Sequence, residues 1–290
     1  MDLLLQTLIN GLLIGGIFIM VAVGFSLAFG VLHIIDFAVG EWIMLGAFTA
    51  FWLHHFWHID PILLLPVVFV IFTVTGYLLY PVLKQVIDQK HRNAALMALA
   101  FTFGLSIFMR GSALSLWGFN NRNLITFLSE ESWPLFGVTL PALRVAATVF
   151  ALAVTAVFIL FLYKSKVGLA IRAAAENRTI AGLMGIDGHH IARLVYAIYA
   201  GLTGMAGIFI GAIFSVNPEM GLRYTVFAFF VVVVGGLGSL AGAIVAGFLL
   251  GIIISFGSVY LGGSYILLVL FFILYIILLF FPKGILRKGW

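Results

Sequence analysis

Residues 264–281 read SYILLVLFFILYIILLFF, eighteen positions without a charge. An α-helix rises about 1.5 Å per residue, so this run covers ~27 Å, close to the ~30 Å hydrocarbon thickness of a bilayer. Working back along the chain, further apolar runs occupy 3–31, 38–54, 61–80, 94–117, 142–163, 191–214, 224–236 and 240–257. The 224–236 run is too short to cross alone. It meets its neighbour at Gly235-Gly236-Leu237-Gly238-Ser239, which predicts two half-helices or one bent hairpin. The expected fold is all-α and integral to the membrane: a polytopic bundle of eight or nine transmembrane helices.

The rest of the composition agrees. Hydrophobic residues make up 64% of the 290 and charged residues 9%, with a mean hydropathy of +1.24. A soluble domain is nearer half apolar and a quarter charged. So few charges cannot cover so much apolar surface in water. The chain has no cysteine, which excludes disulfides and thiolate metal sites. Its start, MDLLLQTLINGLL, has neither a basic n-region nor a small-residue cleavage site, so it reads as a retained first helix.

The net charge of +5 points to topology rather than nucleic acid, because basic residues of membrane proteins gather in cytoplasmic loops. Lys84, Lys90 and Arg92 share one loop. Lys164, Lys166, Arg172, Arg178 and Arg193 lie in or beside another, and Lys283, Arg287 and Lys288 follow the last run. Nine crossings put all three groups, eleven of fifteen basic residues, on one side. That side is expected to be cytoplasmic, with the N-terminus outside and the C-terminus inside.

Two loops are long. The outer one, 118–141, is polar, aromatic and turn-rich. In the inner one, 164–190, good helix formers predict one short helix over Ala173–Met184, with Ile180, Leu183 and Met184 on one side and Glu176, Asn177 and Arg178 exposed. Such a helix can lie on lipid, cap the bundle or present a knob to a cytosolic partner. Lipid binding favours a richer Lys/Arg face. The small residues here (Ala173, Ala174, Ala175, Ala181, Gly182, Gly185) suit close protein contact.

No GxxxxGK[ST] is present, so the chain has no P-loop to cradle nucleotide phosphates, and no HExxH or metal-spaced cluster occurs. His54, His55 and His58 sit beside Trp52 and Trp57 at an expected membrane boundary, where amphipathic rings anchor. Asp36 and Glu41 are the acids in apolar surroundings, between the first two runs. Two readings stand. Asp36 caps the second helix and Glu41 gains from its dipole, or the segment is a broken helix lining a pathway. Small residues at Gly238, Gly242 and Ala246, and at Gly247 and Gly251, allow close helix approach. Ser215-Val216-Asn217-Pro218-Glu219, with Arg223 beyond, is expected to form an outer turn.

Four segments together resemble one family. Asp36-Phe37-Ala38-Val39-Gly40-Glu41 is similar to the Asn-Phe-Ala-His-Gly-Glu signature of branched-chain amino-acid ABC permeases. Ser165 to Asn177, continuing through Gly182-Leu183-Met184-Gly185-Ile186-Asp187, resembles that family's cytoplasmic loop. Val234-Gly235-Gly236-Leu237-Gly238-Ser239 with Gly242-Ala243 resembles its late glycine motif, and Phe281-Pro282-Lys283-Gly284-Ile285-Leu286 its ending. Departures are Asp36 for Asn, Val39 for His, and Tyr80-Pro81-Val82-Leu83-Lys84 after the third run.

The resemblance implies an ABC importer permease fold over 1–290 as one transmembrane domain, with 164–190 a cytoplasmic coupling loop and 118–141 a periplasmic loop. It implies a bacterial inner-membrane subunit that is not itself an enzyme and holds no cofactor, ATP and Mg binding on separate subunits. Its partners would be a second homologous permease, two cytosolic ABC ATPases, a periplasmic substrate-binding protein and membrane lipid. The cargo would be a branched-chain or other hydrophobic amino acid, or a related urea, amide or aromatic carboxylate. Carried over residue by residue, Asp36, Phe37, Gly40, Glu41, Gly235, Gly236 and Gly238 fall to the pathway. Ala173, Glu176, Asn177, Arg178, Ala181, Gly182, Gly185 and Ile186 fall to ATPase contact, and Asn217, Glu219 and Arg223 are candidates for periplasmic docking. A stand-alone transporter driven by H⁺ or Na⁺ is the alternative, with Asp36 and Glu41 as coupling carboxylates.

Overall fold

The computed structural model describes residues 2–87, 94–135 and 138–286. Lys90, Arg92, Arg287 and Lys288 of the charge argument, and residues 136–137 of the outer loop, lie outside the described residues. The helices are α1 (Asp2–Leu32), α2 (Val39–Trp57), α3 (Leu65–Ile87), α4 (Ala94–Trp117), α5 (Ala142–Lys164), α6 (Lys166–Glu176), α7 (Arg178–Leu183), α8 (Gly188–Ile213), α9 (Met220–Gly235), α10 (Leu240–Tyr260) and α11 (Ile266–Phe280). Seven of them, α1, α3, α4, α5, α8, α10 and α11 (the last together with the 3-10 turn before it, Gly263–Phe280), are long and apolar enough to cross a membrane unaided. Adding α2 (19 residues) and α9 (16 residues) gives nine membrane-scale helices among the described residues, within the expected eight or nine. The molecule is a multi-pass membrane protein.

With hydrocarbon on the outside, burial of apolar surface cannot by itself draw helices together, and close backbone approach has to do it. The central helices do this through glycine. α1 lies along α10, and a Cβ on Gly15 would come within 2.7 Å of the Phe248 Cα. α8 is the hub, touching α1, α2 and α3. A Cβ on Gly207 would strike the Ile43 carbonyl of α2, and one on Gly204 would meet the Phe72 ring of α3 at 2.7 Å. Trp42, Tyr196 and Tyr199 fill the space so enclosed and are fully buried.

Hydrogen bonds sort the ends. At one end Gln6 Nε2 donates to the Thr139 carbonyl (2.8 Å) and the Phe127 N–H donates to Asp60 Oδ2 (2.7 Å). At the other, Arg193 Nε donates to the Tyr77 carbonyl (2.9 Å).

Two expectations need correction. Ala173–Met184 is not one helix. The helix α6 begins back at Lys166, where Ser165 accepts from the Gly168 N–H (2.8 Å), and stops at Glu176. Asn177 is extended (φ −155°, ψ 104°), and its side chain accepts from the Thr179 and Ile180 N–H groups (both 3.0 Å), starting α7 afresh. A short polar side chain that bonds its own backbone competes with helix propagation, and here it wins. The outer loop is also more ordered than a string of turns. It holds an antiparallel hairpin, β1 (Ser132–Leu135) against β2 (Val138–Pro141), and Arg122 exchanges backbone bonds with Val216.

Of the alternatives for 224–257, a hairpin forms. α9 ends at Gly235, Gly236 (φ 101°) and Gly238 (φ 82°) turn the chain through left-handed backbone, and Ser239 caps α10. The turn is covered by residues 281–286. The Ile285 N–H donates to the Val234 carbonyl (2.8 Å) and the Leu286 N–H to that of Gly235 (3.3 Å). These satisfy carbonyls that a helix C-terminus leaves orphaned.

Candidate functional site

After α1 the chain does not simply turn. His33 takes left-handed backbone (φ 57°), and residues 33–38 run without regular structure before α2 begins at Val39. Within this break Asp36 is 4% exposed and Glu41, in the first turn of α2, is 1% exposed. Irregular backbone and buried acids inside an apolar bundle need polar partners from neighbouring helices, because each unmet group costs on the order of 1–3 kcal/mol. The bundle supplies most of them.

Asp36 does not cap α2 in the manner expected; the N-cap is Ala38, with no side-chain bond to the helix. Instead Asp36 Oδ1 accepts from the Ala38 N–H (2.8 Å), tightening the turn, and Oδ2 accepts from the Tyr196 hydroxyl (3.1 Å). Trp42 and Tyr199 also face this carboxylate. Two threonines clasp the rest of the break. Thr102 of α4 accepts from the Phe37 N–H (3.3 Å) and lies within bonding reach of the Ile35 carbonyl (3.3 Å), the Leu99 carbonyl of its own helix being at 3.1 Å. Thr225 of α9 accepts from the Gly40 N–H (3.1 Å) and lies within bonding reach of the Phe37 carbonyl (3.4 Å).

Glu41 Oε1 accepts from the Ser106 hydroxyl (3.1 Å), while Oε2 has no hydrogen-bond partner among the described residues. A Cβ on Gly221 of α9 would strike this carboxylate, and one on Gly40 would strike the Gly221 carbonyl. Helices α2 and α9 therefore meet at backbone distance directly over Glu41. Phe37 points away from the core, with its ring 4.8 Å from that of Phe229 and 6.0 Å from that of Phe103.

The structure thus gathers Asp36, Phe37, Gly40 and Glu41 into one polar knot. Gly235, Gly236 and Gly238 form a separate turn at the far end of α9, against α10 and 284–286. Tyr196, Thr102, Ser106 and Thr225 were not singled out from sequence; hydroxyls within otherwise apolar runs were the available signal.

The inner surface is built around α6 and α7. α6 turns Gly168, Ile171, Ala174 and Ala175 inward and leaves Glu176 exposed. Asn177 and Gly182 are exposed, Ala173, Arg178 and Ile186 are half-buried, and Ala181 is buried. Arg178 reaches back to the Gly188 carbonyl (3.3 Å). At the tip Leu183 is 83% and Met184 79% exposed, followed by Gly185 in left-handed backbone (φ 84°). Asp187 then caps α8 through the N–H groups of His189 (2.9 Å) and His190 (3.3 Å). These bonds, His190's first, hold its carboxyl below the ordinary range.

At the opposite end Asn217 is half-buried, while Glu219 and Arg223 are exposed one turn apart at the start of α9. Phe51, Trp52, His55 and Phe56 form a ring cluster there, with the Arg122 guanidinium 4.9 Å from the Trp52 ring, while a His54 ring nitrogen bonds the Ile59 carbonyl (2.8 Å).

Comparison with known proteins identifies relatives of the whole chain. Residues 7–278 match a family described as "Branched-chain amino acid transport system / permease component". The chain is 31% identical to the high-affinity branched-chain amino acid transport system permease protein BraD of Pseudomonas aeruginosa, over 98% of this chain and 96% of the relative. It is 29% identical to LivH of Escherichia coli over the same shares, and 28% identical to a probable LivH of Methanocaldococcus jannaschii over 91% and 84%. No solved structure matches the chain.

Proposed function

The chain belongs to the branched-chain amino acid transport system permease component family, and on that premise we propose that it is the membrane-spanning subunit of an ATP-driven importer. Its cargo is a branched-chain or other hydrophobic amino acid, or a related small solute, delivered by a periplasmic binding protein. It sits in the inner membrane with its N-terminus outside and its α6–α7 end inside. The pathway is completed by a second homologous permease, and two cytosolic ATPases hydrolyse the nucleotide.

The observation that carries this reading is the α6–α7 knob. A membrane subunit with no P-loop needs a surface that receives motion from an ATPase. Leu183 and Met184 stand in the open on a six-residue helix braced by α6 and by the capped start of α8. Three exposed apolar side chains, Ile180, Leu183 and Met184, on one short knob fit a partner's groove. The orientation rests on Lys164, Lys166, Arg172, Arg178 and Arg193 clustering at that end.

Leu183→Asp is the direct test. Its side chain touches little, so thermal stability and membrane insertion should hold within about 0.5 kcal/mol, while ATP-dependent uptake in cells is lost. Wild-type uptake in this variant overturns the docking assignment. Uptake that survives ATP depletion but collapses with an uncoupler replaces the importer with an ion-coupled carrier, in which the buried Asp36 and Glu41 do the coupling.

A further inference from the structure

Two cavities lie end to end along α9. The deeper, about 350 Å³, is enclosed by α4, α9 and α11, with Phe37, Phe103, Phe229 and Leu274 among its walls. The outer, about 560 Å³, lies between the first turn of α9 and residues 263–267, with Glu219 and Arg223 at its rim. Leu222 and Val226 line both, so the two form one groove. Both volumes fall in the range of small-molecule sites.

The groove is chemically graded. One end offers a carboxylate and a guanidinium a helical turn apart; the other is aromatic and aliphatic. Thr225, which accepts from the Gly40 N–H at the α2 break, is among the walls of its deeper half.

A contrasting cleft separates α3, α5 and α8. It is larger, about 750 Å³, yet no charged side chain lines it. An α-amino acid carries an ammonium and a carboxylate, each costing several kcal/mol to strip of water without a partner. That cleft suits hydrocarbon. The α9 groove suits a molecule with two opposite charges at one end and a branched apolar group at the other.

Resting on the importer reading above, we propose that the α4–α9–α11 groove is this subunit's share of the translocation path. Arg223 and Glu219 receive the carboxylate and ammonium of the cargo, and Phe37, Phe103 and Phe229 receive its side chain. The path then runs down α9 past the threonine clasp on the α2 break.

The chain has no cysteine, so a single one can be introduced cleanly and read on this chain after the assembled transporter is labelled in liposomes. Val226→Cys in the groove should react with an aqueous maleimide about tenfold faster or more than Val157→Cys in the apolar cleft. Apolar surroundings raise a thiol's pKa, and each unit removes tenfold of the reactive thiolate. Leucine supplied on the binding protein should slow labelling at 226 and leave 157 unchanged. Leu222→Cys repeats the comparison should Val226→Cys disturb assembly. Equal rates at groove and cleft overturn the proposal, and fast labelling without leucine protection, in a transporter that still takes up leucine, overturns the occupant. Wild-type uptake is scored separately. If leucine uptake is absent, leucine falls as the cargo and with it the occupant proposed here, while fast labelling at 226 still sets the groove on an aqueous path.

Discussion

α8 and α11 are both membrane spans, and they solve opposite problems. α11, with the turn that leads into it (Gly263–Phe280), is the most apolar span, yet only 11% of it is buried; α8 is less apolar and 89% of its most apolar stretch is buried. In water the more apolar helix would sit inside. In a bilayer the lipid is as apolar as leucine, so apolarity no longer sorts inside from outside. Small residues do. α8 carries Gly201, Gly204, Gly207 and Gly211, which receive α3 on one side and α2 on the other, whereas α11 has no glycine and presents Phe271, Phe272, Tyr275 and Leu279 outward.

The hardest way to break this contrast is to fill a glycine at the hub. Gly46→Leu places carbon against the Gly204 backbone, which cannot move without shifting α8. We expect a loss of about 3 kcal/mol or more, read as collapse of the monodisperse peak in detergent. The matching change on α11, Phe272→Ala, should alter thermal stability in lipid by no more than about 0.5 kcal/mol. Similar losses from the two changes would mean that α11 is packed as α8 is.

A middle effect tests the clasp. Thr225→Val keeps the shape but strips the Gly40 N–H of its acceptor, at a cost of about 1–3 kcal/mol. Uptake should fall with assembly intact, and an unchanged melting temperature would deny the clasp a structural role. Tyr196→Phe should cost a comparable amount by taking a hydroxyl from Asp36, checked by the same melt.

The smallest effect concerns the inner end of α8. The Asp187 carboxyl is held below its ordinary value by the cap, so its contribution is complete above the usual carboxylate range and fades as pH falls through the lowered one. Asp187→Asn should flatten the acid limb of a melting-temperature profile measured down through that range. An unaltered limb would place the acid sensitivity elsewhere.

Much of this was legible beforehand, for identifiable reasons. Spans are set by length and apolarity over about 20 residues, both local properties, and the runs at 142–163 and 191–214 fall within a few residues of α5 and α8. The break at Asn177 was missed because alanine-rich flanks outweighed one capping side chain in a helix-propensity reading. The polar knot was half legible. Asp36 and Glu41 stand out as acids among apolar residues, but Thr102, Thr225 and Tyr196 lie 66, 189 and 160 positions from Asp36 on other helices. Nothing local marks which hydroxyl meets which carbonyl.

The cover of the α9–α10 turn has a consequence in the order of synthesis. The carbonyls of Val234 and Gly235 are paired by Ile285 and Leu286, 51 positions further on. At about 5–20 residues per second, the ribosome takes roughly 3–10 s to make that stretch. For that interval the newly inserted α9 has an open carboxyl end. Its hinge with α10 sets only when α11 has followed it into the membrane, so the element lining the proposed groove is among the last to be locked.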